Sequence, residues 1–93
     1  MKRVLVHWED SITPTSSWQW RSEAKFSIAR IKTMGWLVEE AEQHLAVAGS
    51  VSVPDEDGDV QINGVIVIPR RCIIRIEPIQ DGGVDTSERS SPT

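Results

Sequence analysis

Apolar residues recur at every second position, in short runs broken by turn-forming residues, and this spacing constrains the fold more than anything else in the chain. Arg3–Trp8 shows it most plainly. Val4, Val6 and Trp8 share one face; Arg3, Leu5 and His7 share the other. A period of two sends alternate side chains to opposite faces of an extended segment, so a first strand is predicted here. Glu9–Ser17, carrying Asp10 and Pro14, is predicted as a loop. A second strand is predicted over Arg30–Glu39, where Gly35 marks a bulge or a close approach and Trp36 shares a face with Met34 and Val38. A third runs over His44–Val53, with Leu45, Val47, Val51 and Val53 on one face. The fourth, Val60–Ile68, is apolar on both faces and is therefore central in the sheet or covered by a partner. The fifth, Ile73–Pro78, is expected to turn Ile74 and Ile76 inward.

The connections are short. Ser22–Phe26 can form one helical turn, with Ser22 as N-cap. Pro69–Cys72 reads as a tight 3₁₀-type turn, because proline fixes φ at its start. Five short strands with such links predict a mostly β fold: a small five-stranded, partly closed barrel, SH3-like or Sm-like, with an OB-type barrel as the second choice. Closure removes edges that would otherwise template aggregation. The domain is expected to cover residues 1–79. From Gln80 onward the residues are small and polar, and residues 80–93 are expected to form a disordered tail.

Ninety-three residues make one domain with a small core. No run approaches a membrane-spanning length, and the apolar run after Lys2-Arg3 is too short for a signal peptide. The expected location is cytoplasmic. The single Cys72 cannot form an internal disulfide and is expected to be a buried small hydrophobe, a reactive thiol being the alternative. The formal net charge of −4 makes sequence-independent binding to double-stranded DNA unfavourable. The cations, however, concentrate between Trp18 and Gly35, as Arg21, Lys25, Arg30 and Lys32.

The chemistry of known sites is mostly missing from this sequence. Asp55-Glu56-Asp57-Gly58-Asp59 imitates the start of an EF-hand loop. The imitation fails at the sharp-turn glycine, where Val60 stands, and at the bidentate glutamate, where Ile66 stands. A solvated hairpin turn is expected. His7, His44 and Cys72 show no zinc-ligand spacing, and no nucleophile elbow or phosphate-cradling loop is present. No metal, cofactor or catalytic residue is expected, and the protein is read as a non-enzyme.

The tryptophans carry what functional signal there is. Trp8 and Trp36 sit at strand positions and are expected in the barrel core. Trp18 and Trp20 sit in a Ser/Thr/Gln-rich segment beside Arg21. Three readings stay open for them: a plug that closes the barrel, a stacking platform for a flat anionic ligand, or a protein–protein hot spot. The candidate ligand-binding residues are Trp18, Trp20, Arg21, Lys25 and Arg30, with Arg70 and Arg71 as additions if their turn lies nearby.

The stretches VHWED, SSWQW, TMGWLVEE, HLAVAGSV and NGVIVIPRRCIIRIEPI, spanning Val4–Ile79, resemble a group of small bacteriophage-encoded proteins. That resemblance implies a phage origin and an early or accessory gene, so that the expected cytoplasm is that of the host cell. It carries no catalytic residue across. The resulting expectation is a non-enzymatic binding protein that sequesters an anionic nucleotide-like ligand, a host defence signal. The alternatives are an inhibitor that binds a host protein directly and a structural component of the virion. The second apolar face of the fourth strand adds the expectation of a homo-oligomer.

Overall fold

The computed structural model describes residues 1–80. Five antiparallel strands form a single sheet: β1 (Arg3–Asp10), β2 (Ala29–Glu40), β3 (His44–Val51), β4 (Ile62–Pro69) and β5 (Ile73–Ile79). Their order is β4-β3-β2-β1-β5. Two 3₁₀ turns complete the described part, Arg21–Glu23 between β1 and β2, and Arg70–Cys72 between β4 and β5. The short helical element before β2 is thus a 3₁₀ turn starting at Arg21 rather than a turn over Ser22–Phe26. The expected tail lies outside the described residues except for Gln80, whose carbonyl accepts a hydrogen bond from Arg3 Nη2 at 3.1 Å.

Topology requires the sheet to be rolled. β4 and β5 are its two edges, and a flat five-stranded sheet would hold them about 19 Å apart. The chain from Pro69 to Ile73 reaches at most about 14 Å even when fully extended. The edges are therefore drawn toward each other at that end, giving a partly closed barrel. No ladder joins β4 to β5.

The long strand β2 makes the roll possible. Its first half pairs with β1, from Asp10↔Ala29 to Arg3↔Trp36, and its second half pairs with β3. At Gly35 the backbone of β3 comes so close that a Cβ would run into the Ala48 carbonyl oxygen and lie 2.9 Å from Val47 Cγ1. A register shift between Leu37 and Glu39 adds a further bend, as bulges do.

The core lies inside the roll. Val4, Val6 and Trp8 of β1, Leu45 and Val47 of β3, and Ile68 of β4 are buried together. Ile31, Leu37, Ile66, Cys72, Ile73 and Ile76 pack around them. Trp8 keeps its one polar atom satisfied by donating from Nε1 to Thr33 Oγ1 at 2.9 Å.

Several expected orientations change. Ile74 is exposed, because a register shift pairs His7 with Arg75 but Trp8 with Ile73, leaving Ile74 as the extra residue of a bulge. Val53 lies beyond the end of β3 and is exposed. Trp36 is only half-buried and stands outside the core cluster, since its partners Arg3 and Ala48 place it on the outer face. Cys72 is a half-buried free thiol. β4 is an edge strand, so its second apolar face, with Val65 and Val67, is exposed rather than central.

Candidate functional site

The segment between Asp10 and Ala29 projects from the sheet as an arm. Its internal bonds are few: Glu23 N–H to Trp20 C=O at 3.0 Å, Ala24 N–H to Arg21 C=O at 3.3 Å, and Ser17 N–H to Thr15 Oγ1 at 3.1 Å. Ile12, Trp18, Trp20, Phe26 and Ile28 are all exposed on it. Trp18 is 102% and Trp20 75% exposed, which removes the barrel-plug reading for both.

Trp18, Gln19 and Trp20 line an open, mainly apolar depression of about 280 Å³. Arg21 follows directly, at the start of the 3₁₀ turn, and both Arg21 and Lys25 are exposed. Neither has an ion-pair partner among the described residues.

Arg30 belongs to a different depression. It pairs with Glu9 at 3.5 Å and, with His7, Trp8, Ile31, Lys32, Ile74 and Arg75, lines a hollow of about 290 Å³ where the arm joins the sheet. Strand register explains this grouping. His7 lies directly opposite Lys32 on β2 and Arg75 on β5, so three basic side chains form one row across the outer face. The two cations of the row, Lys32 and Arg75, flank His7, and the row attracts an anion. Glu77 supplies part of it, accepting from Arg75 Nε at 2.8 Å and sharing a 3.2 Å hydrogen bond with His7 Nε2. The Arg75 hydrogen bond, aided by the charges of Arg75 and His7, holds the Glu77 carboxyl below its ordinary pKa, while burial opposes the shift. Lys32 has no ion-pair partner among the described residues.

Two predicted members are thus brought together, Trp18 and Trp20, with Arg21 adjacent; Arg30 instead joins the basic row. Sequence reading missed His7, Lys32 and Arg75 as a group. Only the pairing of β1 with both β2 and β5 makes them neighbours. Arg70 joins neither depression: it bonds Glu40 Oε2 and the Ala41 carbonyl, each at 3.2 Å, and braces the β2–β3 turn.

The acidic segment Asp55–Asp59 is a self-contained turn. Asp55 Oδ1 accepts from the N–H groups of Asp57 (2.8 Å) and Asp59 (2.9 Å), and Gly58 takes the positive φ of 84°. No group of three or more His, Cys, Asp or Glu among the described residues is placed to hold a metal ion. No described helix is long and apolar enough to cross a membrane. Comparison with protein families, with curated proteins and with solved structures finds no match.

Proposed function

We propose that this protein is a non-enzymatic binding module that captures an anionic, nucleotide-like ligand where the arm joins the sheet. The observation that carries this reading is the pairing of solvent-facing indoles on the arm with a basic row at its base. Trp18 and Trp20 offer stacking faces, and base–indole stacking contributes roughly 1–3 kcal/mol per base. Arg21 and Lys25 on the arm, and Arg30 and Lys32 on the sheet, supply cations for phosphate oxygens. The arm's sparse internal bonding lets it settle over a ligand resting on the row. In the phage setting that the sequence resemblance suggests, the ligand would be a host defence signal.

Thermal-shift screening against nucleotides and cyclic dinucleotides tests this. A stabilising hit that Trp20→Ala removes, with the unliganded melting temperature little changed, is the expected result. Silence across the panel, with specific capture of a single purified host protein, would overturn it in favour of a protein-binding arm. A second observation favours that alternative: Ile12, Phe26 and Ile28 are exposed on the same arm as the two indoles, and exposed apolar surface of this kind marks protein-binding sites.

A further inference from the structure

The two edges of the sheet are built differently, and hydrogen-bond parity shows how. The Leu37 N–H donates to the Lys2 carbonyl at 2.8 Å, so Val4, Val6 and Trp8 point their backbone groups at β2. Arg3, Leu5 and His7 then point at β5, where they meet Ile79, Glu77 and Arg75. Ile76 and Pro78 are left facing the free edge. Proline has no N–H, the Ile74 bulge interrupts the strand, and Arg75 and Glu77 put charge on it. These are the usual protections of an edge.

β4 is interrupted only at Gly64, which takes a φ of 66° and lacks a pairing with Gly49; from Val65 to Ile68 it has none of these protections. The sequence Ile62–Pro69 contains no charged residue, and its proline is terminal. The Arg70 N–H donates to the Gln43 carbonyl at 2.9 Å. Ile68 and Ile66, two and four residues earlier, therefore also face β3. Val65 and Val67 turn their N–H and C=O groups to the free edge, and their side chains are exposed on the outer face.

We infer that this edge pairs with β4 of a second copy of the chain, antiparallel about a two-fold axis beside Ile66. In that register Val65 bonds the partner's Val67 and Val67 bonds the partner's Val65, each pair exchanging both N–H and C=O. The arrangement is self-complementary, as a two-fold interface requires. No charge on either strand opposes it, and the partner's valines cover Val65 and Val67. The product is one continuous sheet of two curled halves. The arm stays outside this interface, so the pairing is independent of ligand capture.

Light scattering on the full chain should give twice the 10.4 kDa chain mass, and Val67→Lys should give the chain mass with an unchanged circular dichroism spectrum. Register is tested by cysteine pairs in a Cys72→Ser background. Residues in a hydrogen-bonded antiparallel pair have Cα atoms about 5.5 Å apart, within disulfide reach. A mixture of Val65→Cys and Val67→Cys chains should crosslink to the mixed dimer several-fold faster than either chain alone. Should Val67→Lys fail to fold, this crosslinking decides. A wild-type monomer at every concentration, or equal crosslinking of the mixture and the single variants, overturns the inference.

Discussion

Single residues here are held by backbone proximity as much as by side-chain contact. Gly35 is the clearest case. A methyl group there meets the β3 backbone, which cannot swing away as a flexible side-chain tip could. Gly35→Ala should therefore cost about 2–3 kcal/mol by strain and overpacking, read as a lower denaturant midpoint at unchanged m-value. Glu77 carries a different kind of prediction. Its folded pKa is depressed, so its contribution is fully present above the ordinary carboxylate range and is lost as pH falls through the folded value. Glu77→Gln should flatten the acid side of the stability curve and leave the alkaline side unchanged, in urea melts taken across pH. Trp20→Ala, by contrast, truncates a mostly exposed side chain outside the core, and its melting temperature should stay within a few degrees of wild type.

At the scale of the element, the arm and the strands it joins are separable. Asp10 and Ala29 are cross-strand partners, so a two-residue type I′ turn can close the β1–β2 hairpin in place of Ser11–Ile28. Shortening the connection from about eighteen residues to two lowers the loop-closure cost by about 2 kcal/mol. The armless chain should therefore fold with equal or greater stability by denaturant titration, and lose all ligand binding. A large loss of stability would show that the arm packs on the barrel. The same separability explains what sequence reading could see. Alternation and short apolar runs located the five strands, because backbone pleat imposes its period on a segment with one buried face, and proline's fixed φ marked the turn after Pro69. It did not place Ile74, since a bulge is decided by the ladder with β1 and not by β5 itself. Nor could it assign Trp36, whose outer face is set by the register that pairs it with Arg3 and Ala48.

Across the whole molecule, charge is sorted by folding. The chain carries a formal net charge of −4, yet register gathers His7, Arg30, Lys32 and Arg75 at the end of the sheet where the arm departs. Ligand affinity should fall as salt rises, because exposed charges are screened over a Debye length of about 8–10 Å. Lys32→Glu should reduce both the affinity and its salt dependence, measured by titration at two ionic strengths. The sequence by itself determined the strand-rich fold and set Trp18 and Trp20 apart from the regular strands, because period, turn residues and local polarity are all local properties. Tertiary structure decided three other things: that those indoles face solvent, that β4 leaves an unprotected edge from Val65 to Ile68, and that the basic row exists. Each depends on which strand lies beside which, and that is fixed only when the sheet rolls and distant segments come within hydrogen-bonding distance.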